Sequence, residues 1–114
     1  MADVSPDHHK ELSGLSLGDM DVLEAAIGLR EVGLEATGLD ARTFALVKIA
    51  ALIALEAPPA SYVWQIGNAL EDGVTPEEIL GTLRAVAPQV GGPRVIAAAP
   101  EIMLALGLDL PEGA

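Results

Sequence analysis

The chain predicts an all-α domain, and three observations carry that expectation. Apolar residues recur at helical spacing through five segments, short Gly/Pro-rich breaks separate those segments, and no stretch alternates strictly between apolar and polar residues. At 114 residues the chain has the size of one ordinary domain, large enough to bury a core without metals or disulfides.

Residues 1 to 18 show no sustained period and are expected to form a flexible, irregular arm. His8 and His9 lie in that arm. Adjacent side chains on an extended segment diverge and no further histidine exists to complete a set, so no metal site is expected. A helical domain should then occupy residues 19 to 108, with a frayed tail at 109 to 114.

The first helix is expected between Leu17 and Leu34, where Met20, Leu23, Ile27 and Arg30 share a stripe beside Val22, Ala26 and Leu29. Gly38 then stops the chain and Asp40 can cap a long helix that ends where Pro58 and Pro59 forbid continuation. That helix is apolar on nearly every face from Phe44 to Leu55, the mark of a central helix or one shared with a neighbouring subunit. A third helix should run from Pro59, whose missing N–H costs nothing in a first turn, to a stop at Gly73. "TPEE" at 75 to 78 is a helix opener in which Thr75 caps, Pro76 takes the first position and Glu78 returns a carboxylate to the cap. That helix should turn Ile79, Leu83 and Val86 inward. "PQVGGPR" at 88 to 94 should break the chain, and a last helix through Val95, Ala98, Ile102 and Leu106 should be kinked or divided at Pro100.

Composition narrows the function classes. Seventeen acids against six bases give a net charge of −11, which cannot supply the counterion release that drives nucleic-acid binding, so neither nucleic acid nor an anionic membrane is expected as partner. No leader is evident, and the longest nearly apolar run, 44 to 55, is too short for a bilayer and contains Lys48, so a soluble cytoplasmic protein is expected. The chain has no cysteine, which rules out disulfides and thiolate nucleophiles. Hydrophobic residues make up 51% of the sequence and mean hydropathy is +0.43, an apolar excess for so small a chain. Buried contacts between copies would absorb it, as would a very well-filled monomeric core.

The order of pieces is specific. "LDARTFALVKIAALIAL" is followed about twenty residues later by "ALEDGVTPEEILGTLRAVAPQVGGPRVIAA", and together they resemble the carboxymuconolactone decarboxylase family, within the AhpD-like superfamily. The resemblance covers roughly residues 38 to 107 and implies an all-helical, AhpD-like subunit of about five to six helices around an antiparallel helix pair, assembled as a homotrimer or homohexamer. In redox relatives the helix after the long apolar one begins C-x-x-C-x-x-x-H. Matched from Gly73 backwards, the histidine position falls on Gln65, the cysteine positions on Ser61 and Pro58, and the family carboxylate on Ala45. Glutamine exchanges no proton near neutral pH, proline has no reactive atom, and serine without a base is a poor nucleophile. Peroxidase chemistry by the cysteine mechanism is therefore excluded, and no catalytic residue is assigned.

Six residues are candidates for binding a ligand. Ser61, Tyr62 and Gln65 share a helix face with Pro58 and Ala69, and Trp64 lies about a third of a turn away. They could floor and wall a pocket, or the aromatics could be ordinary core and interface. Lys48 and Arg94 could each hold a carboxylate, or respectively snorkel and form an ion pair. Arg42 could likewise hold an anionic group, or form an ion pair between subunits. Two function classes stay open: a cofactor-free lyase or isomerase acting on a small acidic cyclic substrate, and a non-catalytic oligomeric protein that binds a small molecule or serves as scaffold.

Overall fold

The computed structural model describes residues 3–28 and 33–113, and the chain divides into two compact units, 1–33 and 34–114. Among the described residues there are seven helices and no strand: α1 (Pro6–Ser16), α2 (Met20–Ile27), α3 (Leu34–Thr37), α4 (Ala41–Leu55), α5 (Pro59–Glu71), α6 (Pro76–Val90) and α7 (Gly92–Ala105). The all-α expectation holds.

The first unit differs from the irregular backbone expected at the start of the chain. Ser5 accepts a hydrogen bond from the His8 N–H at 3.2 Å and Pro6 takes the first helical turn, so "SPDHHKE" opens α1 by the same chemistry that "TPEE" uses later. Asp19 caps α2 through the N–H groups of Asp21 and Val22. Helix α2 is shorter than its apolar stripe suggests, because Gly28 adopts φ 70° and ends it in a left-handed cap. Arg30, placed on that stripe, and Leu29, placed beside it, lie outside the described residues. Where α1 meets α2, a Cβ on Gly14 would fall 2.6 Å from Cγ2 of Val22, so the two helices approach as closely as glycine allows.

The second unit is organised by α4. Asp40 accepts from the Thr43 N–H at 2.7 Å, fixing the helix start where the sequence places it. Ala45, Ile49 and Ile53, four residues apart, are buried along one stripe. They meet Tyr62, Ile66 and Ala69 of α5, Ile79 and Leu83 of α6, and Ala98 and Ile102 of α7, with Val74 closing the core from the α5–α6 turn. Only residues 56 to 58 separate α4 from α5, which makes them an antiparallel pair. The opposite stripe of α4 is exposed, with Val47 at 53% and Leu55 at 77%. The helix that is apolar all round is thus central on one side and uncovered on the other.

Two proline expectations are corrected. Helix α6 continues through Pro88 to Val90, and α7 is one helix through Pro100. The chain break falls at Gly91, whose φ of 87° leaves the helical region. A proline in a helix frees one carbonyl four residues back, here of Arg84 and Ile96, and both positions are on exposed faces where water can reach it. Packing of Ala98 and Ile102 into the core outweighs that loss in α7.

Glu56 is the sole non-glycine residue with positive φ among the described residues, at φ 51° and ψ 52°. It is the left-handed cap that lets the chain leave α4 and reach Pro58. An L-residue in that region costs about 1–2 kcal/mol, while glycine costs roughly 0.5–1 kcal/mol in backbone entropy. Glu56→Gly should therefore raise stability by roughly 0.5–1 kcal/mol in a denaturant titration. A loss of stability would mean that the carboxylate itself holds something in place.

Candidate functional site

Helix α5 carries the candidate site, and its start is defined by proline geometry. Pro58 is the N-cap residue with extended backbone and Pro59 begins the helix, so no side chain caps it. Ser61, Tyr62 and Gln65 then fall on one face. The face is graded: Ser61 and Gln65 are half-buried, while Tyr62 is 1% exposed and belongs to the core with Ile49, Ile53 and Ile66. Burial pushes the Tyr62 phenol above its usual 10.0, and the negative charges of Glu101 and Glu56 push it further the same way. It stays protonated at neutral pH. Trp64 points elsewhere, with 44% of its surface exposed beside Val63 at 58%.

The two candidate cations are engaged within the chain. The Lys48 ammonium lies 4.5 Å from the centre of the Phe44 ring, one helical turn back on α4, in cation–π geometry. Arg94 donates from Nη1 to the Val90 carbonyl at 3.4 Å, across the α6–α7 turn. Thus α5 brings Ser61, Tyr62 and Gln65 together, Lys48 stands on the neighbouring helix, and Arg94 serves the last turn of α6.

Arg42 corrects an expectation. It pairs within its own subunit: Nη1 donates to Glu78 Oε1 and Nη2 donates to the Gly73 carbonyl at 3.1 Å. Glu78 is the same residue that accepts from the Thr75 N–H at 3.0 Å, completing a capping box in which its own N–H donates to the Thr75 hydroxyl at 3.1 Å. The start of α4, the turn after α5 and the start of α6 are fastened together. The Arg42 guanidinium, followed by the Thr75 N–H, holds the Glu78 carboxyl below its usual 4.5. A lowered folded value means stability that is present above pH 4.5 and is lost as pH falls through the folded value. In Glu78→Gln the melting temperature should change less with pH across that acid window than in the unaltered protein. Parallel curves would assign acid sensitivity to other carboxylates.

The four positions matched to the redox relatives are occupied as follows. Ala45 is in the core, Pro58 caps α5, and Ser61 and Gln65 lie on its half-buried face. The model of the carboxymuconolactone decarboxylase family matches residues 20–102. The chain belongs to that family. No curated protein and no solved structure matches it.

Membership of the carboxymuconolactone decarboxylase family accounts for the arrangement of α4, α5 and the capped start of α6. It does not name an activity, because chemistry resides in side chains grafted onto a fold. Among the described residues no three His, Asp or Glu side chains could hold a metal ion, and no helix is long and apolar enough to cross a membrane. Sequence reasoning missed Glu56 as a strained junction and Glu101 as a neighbour of Tyr62. A non-glycine residue directly before "APP" hints at the first; nothing local hints at the second, since Glu101 reaches α5 only through the packing of α7.

Proposed function

We propose that this chain is a homo-oligomeric member of the carboxymuconolactone decarboxylase family that binds a small molecule against α5 and has lost the proton-transfer step of the redox relatives. The observation that carries this reading is the substitution pattern: Pro58 caps the helix, Ala45 is core, and neither Ser61 nor Gln65 exchanges a proton near neutral pH. Ser61 and Gln65 remain half-buried, with Tyr62 behind them as a rigid support and Trp64 at the margin. Lys48 on α4 and Arg94 at the start of α7 are the cations assigned to an acidic group, each of which would exchange a present contact for it. The exposed apolar stripe of α4 and Val63 and Trp64 of α5 support assembly, in a homotrimer or homohexamer. A soluble cytoplasmic setting suits a chain of net charge −11.

A thermal-shift panel of lactones, quinones and cyclic carboxylates tests the reading. A ligand at one hundred times its dissociation constant adds about 2.7 kcal/mol to stability. At least one acidic cyclic compound should raise the melting temperature, and Gln65→Ala should abolish the shift. Release of carbon dioxide from a lactone substrate would overturn the loss of chemistry and restore the lyase reading. If nothing in the panel shifts the protein, ligand binding at α5 is wrong.

A further inference from the structure

The Tyr62 side chain has an unused end. Its ring is packed in the core of the second unit at 1% exposure, yet its hydroxyl enters no hydrogen bond. Among the described residues no buried side-chain polar atom lacks a partner, so the Tyr62 hydroxyl must reach the surface. It is the tip of an otherwise buried side chain, and its O–H and lone pairs can be matched only from outside the core.

Two carboxylates stand near that tip. Glu56 is the exposed cap between α4 and α5, and Glu101, half-buried on α7, adjoins Ile102 of the cluster that holds Tyr62. The charges that reach the phenol are these two, both negative. Neither is engaged elsewhere: no ion pair or hydrogen bond holds Glu56 or Glu101, and no side chain caps the start of α5. The last turn of α4 carries no base. The positive end of α5 lies at this junction too, but the negative end of α4 offsets it, each being worth about half a charge. Two full carboxylate charges therefore set the sign of the corner, and they call for a cation.

The acceptors come from three places in the chain: Tyr62 on α5, Glu56 at the junction and Glu101 on α7. Among the described residues no three His, Asp or Glu side chains could hold a metal ion, so the cation that suits the corner is organic. A guanidinium presents its N–H donors in a flat fork, enough to serve both carboxylates and still donate to a phenol oxygen. An ammonium is a compact, strongly hydrated point charge that reaches fewer of these oxygens at once.

We propose that Glu56, Glu101 and the Tyr62 hydroxyl bind the guanidinium head of a small molecule, the carboxylates neutralising it and the phenol oxygen accepting one N–H. The site uses neither Ser61 nor Gln65 and takes the charge opposite to the acidic ligand proposed there, so either reading can fail without the other.

Tyr62 is the one tyrosine of the chain, so its ring resonances report on this corner alone. Methylguanidinium, methylammonium and methylurea, titrated into the full chain at neutral pH and constant ionic strength, separate the contributions. Methylammonium keeps the charge without the fork, and methylurea keeps flat N–H donors without the charge. Methylguanidinium should shift the Tyr62 ring saturably, with each of the others about tenfold weaker. Glu101→Gln and, separately, Glu56→Gln keep the side-chain shape and should each weaken methylguanidinium by about threefold or more, with helical circular dichroism unchanged. An equal response to methylammonium or methylurea overturns the proposal. So does the absence of a saturable shift, or a Glu101→Gln variant that binds methylguanidinium as the unaltered protein does.

Discussion

Tyr62→Ala should cost about 3–5 kcal/mol in a denaturant titration, the range for truncating a large buried aromatic. At 1% exposure Tyr62 is the largest of the fully buried side chains, packed with Ile49, Ile53, Ile66 and Ile79, and the surrounding helices cannot collapse into the space it leaves. Tyr62→Phe keeps the ring and its packing and should cost no more than about 1 kcal/mol. The same variant has a signature in base. With its folded value above 10.0, the phenol contributes stability that is complete below pH 10.0 and disappears as pH climbs through the folded value. Tyr62→Phe should therefore lose less stability than the unaltered protein as pH rises past 10.0. If Tyr62→Ala instead costs less than about 1 kcal/mol and abolishes binding of a ligand, the residue is a pocket wall and its place in the core is misassigned.

Val63→Asp combined with Trp64→Asp should dissociate the proposed homo-oligomer. These two residues present an exposed apolar patch on α5, at 58% and 44%, that contributes nothing to the core of its own unit. A carboxylate buried unpaired at a subunit contact costs several kcal/mol, more than one interface can spare. Light scattering at micromolar concentration should report three or six chains for the unaltered protein and one for the double variant, with helical circular dichroism retained by both. A single chain in the unaltered protein would end the assembly proposal, and the apolar excess would then need another explanation.

The parts of this fold that were legible in the sequence are those fixed by local chemistry. Asp40, Pro59, Gly73 and the Thr75–Glu78 pair each act within four residues of themselves, and each stands where the sequence places it. Ser5 and Pro6 obey the same rules, yet the polar run after them masks the signal, because α1 buries no residue and so lacks an apolar stripe. Pro88 and Pro100 mislead for the converse reason. Local chemistry says break, and long-range packing of α6 and α7 says continue. The candidate site was legible as a set of positions on one helix face. Its grading from Tyr62 in the core to Trp64 at the surface was not, because burial depends on which helices pack where. The same limit hid Arg42: its partners Gly73 and Glu78 lie 31 and 36 residues away, and no spacing argument reaches that far.

The fastening of Arg42 to Gly73 and Glu78 also bears on the order in which the second unit takes shape. Closing a loop of some thirty residues costs chain entropy whatever the loop contains. Here the loop contains α5 and most of α4, so the cost is met only once those two helices lie against one another and bring the turn back to Arg42. The clasp is thus a late contact, formed on a hairpin that already exists. Its influence falls on how fast the folded unit opens rather than on how fast it assembles.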